Sequence, residues 1–300
     1  EERTAVCCLS SVNLEYYDEW KNVPAFIPDL VRMLDNVLQH FIDHAPNEME
    51  RAKYSASRER SIGLGAMGYH AYLQRNKIAF ESMFASGSNY QMFKHIKDHA
   101  LQETRRLAVE RGACPDDDTC EVRNAHLLAI APNASSSIIC GNTSPSIEPF
   151  RANAFTQKTK SGSFLQKNKY LEELLESRDA NTDTVWKDII TNKGSVQHLD
   201  VLTSEEKEVF KTAVEINQSW VIEHAAQRQE FICQSQSVNL FFPPDVNKAD
   251  LHNIHMLAWA KNLKTLYYLR SEAISRADNV SNKVKREIIF EQEGCLSCEG

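Results

Sequence analysis

Three hundred residues, 42% apolar and 25% charged, describe a globular chain with enough material for one large domain or two smaller ones. No run approaches the length of a membrane span, and a net charge of −7 without a basic stripe argues against a nucleic-acid surface. The eight cysteines, at 7, 8, 114, 120, 140, 233, 295 and 298, are too sparse for a disulfide scaffold; with no secretory signal they read as cytosolic thiols. Glu1 is not a natural translation start, so the chain reads as a fragment or a piece of a split protein.

In chain order, Thr4 to Asn13 predicts a strand. Asp18 to His44 carries Ile27, Leu30, Val31, Leu34, Leu38, Phe41 and Ile42 at helical spacing, with Pro24 and Pro28 at its start, and predicts one amphipathic helix. Arg60 to Gly68, with glycines at 63, 65 and 68, reads as a strand or turn feeding the next helix. Ser88 to Arg111 predicts a long helix ended by Gly112 and Pro115, Arg123 to Ile130 a strand, and Asn133 to Gly141 a helix or tight turn. Residues 156 to 200 are expected to be an irregular surface excursion apart from Tyr170 to Ser177. Ser204 to Cys233 predicts a long helix, Ser235 to Phe242 a strand closed by Pro243 and Pro244, Asp250 to Lys261 a helix, and Leu263 to Arg270 a strand. Beyond Ser271 the chain is charged and aperiodic, as a tail is. Strands separated by helices imply parallel β-α units. They are too few to close a barrel but fit half of one.

Four features carry chemistry. The terminal pair Cys295 and Cys298 has spacing suited to dithiol exchange, the second thiolate attacking the mixed disulfide made by the first; half a zinc site or two plain tail thiols are the alternatives. Pro132 to Ser136, at the end of a strand, is a small-residue turn whose amides and hydroxyls suit a phosphate, although Ser at a helix start is more often only a cap. Tyr267 and Tyr268 are either ordinary strand aromatics or a relay that passes an electron and a proton together. They need a break in extended geometry to stack, since strand neighbours face opposite ways. Cys7 and Cys8, by the same alternation, face opposite sides of the first strand. Cys114, Cys120, Cys140 and Cys233 read as small buried hydrophobes.

The stretch Ala-Pro-Asn-Ala-Ser-Ser-Ser at 131–137, Asn-Thr-Ser-Pro-Ser-Ile-Glu-Pro at 142–149, residues 112–115, 234–242 and 264–268, and the terminal cysteine pair together resemble the large subunit of class I ribonucleotide reductase. The resemblance runs in order along essentially the whole chain and covers the C-terminal part of that subunit. It implies the C-terminal half of a ten-stranded α/β barrel over residues 1–270, followed by a flexible redox tail over 271–300. The implied reaction reduces ribonucleoside diphosphates by thiyl-radical chemistry.

By the same resemblance Cys7 is one member of the reducing dithiol, and Cys8 is a bystander. Pro132, Asn133, Ala134, Ser135 and Ser136 hold the substrate diphosphate, with Ala134 standing where some relatives carry Glu. Tyr267 and Tyr268 transfer the radical, and Cys295 and Cys298 re-reduce the barrel disulfide. No cofactor is expected on this chain: a metal-containing small subunit supplies the radical, and ATP or deoxynucleotide effectors bind elsewhere. The implied partners are the N-terminal half, the small subunit, and thioredoxin or glutaredoxin, in the cytoplasm. The Asn-x-Cys-x-Glu motif of the family, the second barrel cysteine and the effector lobe are absent from this sequence. The chain is therefore expected to be inactive alone; a non-catalytic interaction remnant is the rival reading.

Overall fold

Val12 and Leu14 are buried while Leu9 between them and the start is 55% exposed, so the first strand presents one face to a core and leaves the other open. The computed structural model describes residues 2–159 and 162–271; the expected tail, with Cys295 and Cys298, lies outside the described residues. Strand β1 (Cys8–Asn13) is shorter than the expected Thr4 start. The predicted helix from Asp18 to His44 is two helices, α1 (Tyr17–Trp20) and α2 (Phe26–His44). Pro24 supplies no amide to carry a helix across the gap, whereas Pro28 sits in the first turn of α2, where a missing N–H costs nothing. After α3 (Glu50–Glu59) comes β2 (Ile62–Met67), buried at all six positions and parallel to β1, with Cys8 opposite Ile62 and Asn13 opposite Met67.

Next come α4 (Tyr69–Arg75) and α5 (Met83–Arg111), which starts before the expected Ser88 because the Ser82 side chain accepts the Ala85 amide and caps it. Residues 123–130 pass beside β2 through a single parallel bridge, Leu64 to Leu128, rather than a regular strand. Here the Leu127 and Leu128 amides donate to the Cys233 sulfur, at 3.1 and 3.3 Å, in place of ladder carbonyls.

Helix α6 (Ser136–Ile139) is a single turn. The stretch 156–200, expected to be irregular, holds part of an antiparallel hairpin of β3 (Ala154–Thr159) and β4 (Gly162–Lys167), then α7 (Lys169–Glu176) and α8 (Asp183–Thr191). It has its own apolar cluster, with Leu171, Leu175, Trp186 and Ile189 packed on Val209 and Phe210. Short apolar pairs one helical turn apart, diluted by polar residues, hide this packing from a reading by window.

The predicted helix from Ser204 to Cys233 also divides, into α9 (Ser204–Val209) and α10 (Gln218–Gln229). The Glu215 carboxylate takes the Thr212 amide at 2.7 Å and Asn217 caps α10, so the intervening backbone is bonded to side chains instead of to a helix. Gln236 bridges in parallel to Ile130, β5 (Leu240–Phe242) follows, and α11 (Lys248–Ala260) leads to β6 (Leu269–Ser271), parallel to β5.

Spatial order therefore equals chain order through five parallel segments, at 8–13, 62–67, 127–130, 236–242 and 269–271. Val12, Leu64, Leu128, Ile130 and Leu240 pack with Val31, Leu34, Phe93, Ile96 and Ile222 of the helices in one core. Burying such side chains is worth about 1.5–3 kcal/mol each. The opposite face carries Leu9, which is 55% exposed. This is half of an α/β barrel.

Candidate active site

Cys7 lies just before β1, on the open face and exposed, whereas Cys8 packs against the helix-covered core. The two side chains take opposite faces, as neighbours along extended chain do. The Cys7 sulfur donates to Gln234 Oε1 at 3.6 Å, and the Gln234 amide nitrogen is committed to the carbonyls of Ile62, at 2.8 Å, and Leu128, at 3.5 Å. Gln234 is thus held by the two neighbouring strands with its oxygen toward the thiol. Burial of the sulfur against these strands pushes the Cys7 thiol pKa up, and burial does the same to Cys8. Both rest as thiols at neutral pH. Cys120 and Cys140, expected to be buried, are exposed; Cys120 sits in a turn with φ 56°, and Cys140 ends α6.

The loop at 132–136 reaches the same face. Asn133 has φ 52°, and its amide nitrogen donates to Ser11 Oγ at 2.9 Å, to the Ala131 carbonyl at 3.2 Å and to the Ala66 carbonyl at 3.3 Å. Its side chain pins the loop to β1 and β2. Ala134, Ser135 and Ser136 are exposed, while Ser137 is buried and ties the turn by donating to the Ala134 carbonyl at 3.1 Å. Ser11 follows Cys7 by four residues of extended chain, which separates thiol and loop anchor by roughly 13 Å.

The tyrosine rings meet with centroids 4.1 Å apart and planes at 47°. The break in extended geometry is visible in the hydrogen bonds. The Tyr267 amide donates to the Val238 carbonyl at 2.9 Å as a ladder residue does, but the Tyr268 amide donates to the side chain of Asn239, also at 2.9 Å. The Arg270 guanidinium lies 4.5 Å over the Tyr268 ring. Asn239 in turn donates to Glu148, which is 4% exposed. Burial raises the Glu148 carboxyl to about 7, against Arg151, Asn239 and Arg270, which draw it down.

Sequence reasoning did not single out Gln234, Asn239 or Glu148, although all three stand inside stretches that carry the resemblance. Among the described residues, no group of three or more His, Cys, Asp or Glu side chains is placed to hold a metal, and no helix is long and apolar enough to cross a membrane.

Parallel segments in chain order, helices on one face and a thiol with a serine-rich loop on the other define one side of an α/β barrel. The sequence matches the family described as "Ribonucleotide reductase, barrel domain" over residues 1–119 and 116–269. The chain belongs to that family.

It is 52% identical over 284 residues to the ribonucleoside-diphosphate reductase large subunit of Invertebrate iridescent virus 6, covering 93% of this chain and 30% of that protein. For the large subunit of Invertebrate iridescent virus 3 the identity is 49% over 303 residues, covering 100% and 48%. Among solved structures, the Actinobacillus ureae class Id ribonucleotide reductase alpha subunit superposes with a TM-score of 0.84 at 42% identity, covering 90% of this chain and 50% of that one. The chain spans half or less of the length of these relatives.

Proposed function

We propose that this chain is the C-terminal half-barrel of a ribonucleoside-diphosphate reductase large subunit and works when joined to the N-terminal half. The observation that carries the reading is that Cys7, Ser11 and the 132–136 loop share one open face of the sheet. In the reaction, a thiyl radical from the N-terminal half removes a ribose hydrogen and later returns it. Cys7 and a second thiol from that half give two electrons and two protons. The 2′-hydroxyl leaves as water, and the two sulfurs join as a disulfide.

On this reading, the exposed amides and hydroxyls of Ser135 and Ser136 hold the diphosphate, and Asn133 holds their loop in place. Tyr267 and Tyr268 relay the oxidising equivalent that a metal-bearing small subunit supplies. Cys295 and Cys298 then reduce the barrel disulfide by exchange and are themselves reduced by thioredoxin or glutaredoxin. Effector nucleotides bind outside this chain, and the assembly works in the cytoplasm.

The test is reconstitution with an N-terminal half and a small subunit. Cytidine diphosphate should be reduced by the joined protein and not after Cys7→Ser. Turnover by this polypeptide with the small subunit alone, or retained turnover in Cys7→Ser, contradicts the reading.

A further inference from the structure

Glu148, Asn239 and Tyr268 form one hydrogen-bonded line drawn from three separate segments. Asn239, 2% exposed, donates through Nδ2 to Glu148 and accepts the Tyr268 N–H on Oδ1 at 2.9 Å. Both ends of a single planar amide are therefore in use. A carboxylate at one end polarises the amide and makes the oxygen at the other a stronger acceptor. The charged groups that face Glu148 are Arg151 and Arg270. Arg270 is shared, because it also lies over the Tyr268 ring. An ionised Glu148 offsets that positive charge; a protonated one leaves it over the ring, where it disfavours removal of an electron.

We propose that Glu148 is a positioning residue for the Tyr267–Tyr268 pair, holding the Tyr268 backbone through Asn239 and balancing the Arg270 charge above the ring. The geometry explains why the Tyr268 amide leaves the strand ladder, and with it how adjacent rings come together. Because burial brings the Glu148 carboxyl to about 7, both charge states are populated near neutral pH. The inference rests on the proposed function for what the tyrosine pair is for, but its test reads an amide and needs no turnover, so either can fail without the other.

The experiment is a pH titration of the full chain labelled with ¹⁵N-tyrosine, the Tyr268 amide being identified by its loss in Tyr268→Phe. The Tyr268 amide shift should move through one step with a midpoint near 7. Glu148→Gln, which keeps an acceptor for Asn239, should abolish the step and leave the amide near its low-pH position. Asn239→Ala should abolish it too and raise the hydrogen-exchange rate of this amide about tenfold or more. A Tyr268 amide that stays flat in the wild-type chain overturns the proposal whatever the variants do, and so does a step that survives Glu148→Gln.

Discussion

Gly63 leaves no room for a side chain beside Cys7: a methyl group there would stand 2.9 Å from the Cys7 sulfur and 2.3 Å from the end of the Leu9 side chain. Leu9 is exposed and free to turn away, which leaves the thiol and, at 3.2 Å, the Ala129 methyl. Gly63→Ala should push the sulfur off β2 and away from Gln234. Iodoacetamide should then label Cys7 several-fold faster, while stability falls by about 1–3 kcal/mol, the usual cost of overpacking. An unchanged labelling rate would show that the glycine is not what seats the thiol.

Cys7 and Cys8 offer an internal control. Cys7 is exposed on the open face, and Cys8 is half-buried against the helices. Peptide mapping after brief alkylation should find Cys7 modified well before Cys8. Equal modification would place both on one face and break the alternation on which the site depends.

That alternation is the part of the site most legible in the sequence. Extended chain from Cys7 into β1, with Val12 inward, leaves Cys7, Leu9 and Ser11 facing the other way, and the order of parallel segments follows from the alternation of strands and helices. The break between α9 and α10 was not legible for a physical reason. Ile216, Val221, Ile222 and Ala225 are all buried at spacing that runs straight across the Asn217 cap, so apolar periodicity does not register the interruption. The Glu148–Asn239 contact joins residues 91 apart. A carboxyl whose partner comes from a distant strand has no local period to announce it.

The same carboxyl has a measurable effect on stability. Glu148 carries a folded pKa of about 7, above its ordinary value of 4.5, so between those values the folded state holds a proton that the unfolded chain has lost. Its contribution is full below 4.5 and is lost as pH rises through 7, an effect of about 3 kcal/mol. Glu148→Gln removes it, and the variant should match the wild type near pH 4.5 and exceed it at pH 8 in urea unfolding. His70 works in the opposite sense. Its fully buried ring accepts the Phe150 amide at 2.9 Å and is held down to about 3, so its contribution is lost as pH falls from 6.5 toward that value. Acid unfolding should therefore begin below 6.5 in both proteins. A wild-type protein no less stable at pH 8 than Glu148→Gln would remove the buried acid from the account.

Changing Ser135 and Ser136 to leucine in a reconstituted reductase should raise the substrate Michaelis constant strongly, because two hydroxyls and the approach to the turn amides are lost together. The loop itself should survive, since Asn133 and Ser137 hold it through bonds that neither serine side chain makes. An unchanged constant would reduce the serines to the start of a short helix.

Tyr267→Phe and Tyr268→Phe isolate the relay from packing. Phenylalanine keeps the ring contact at 4.1 Å and leaves the backbone bonds to Val238 and Asn239 intact, but it has no phenolic proton to pass on. Each ring is about two-fifths exposed, so loss of one hydroxyl should cost the fold no more than about 0.5–1.5 kcal/mol. Multiple turnovers in the reconstituted enzyme should nevertheless stop in both variants, while substrate binding persists. Retained turnover in either would assign the pair to packing.

The thiols separate by reductant. In the reconstituted enzyme Cys295→Ser or Cys298→Ser should stop turnover driven by a thioredoxin-type protein while a small dithiol still supports some activity. The distinction is one of access: a disulfide inside a closed barrel is out of reach of a protein, but not of a small molecule that diffuses in. Cys7→Ser should fail with both reductants if, as proposed, the electrons for the ribose leave from inside the barrel. Cys8→Ser should be nearly silent, since that side chain packs on the far side of the strand. If the tail variants and Cys7→Ser respond alike to the two reductants, the terminal pair is no shuttle, and its role must be sought in structure or metal binding.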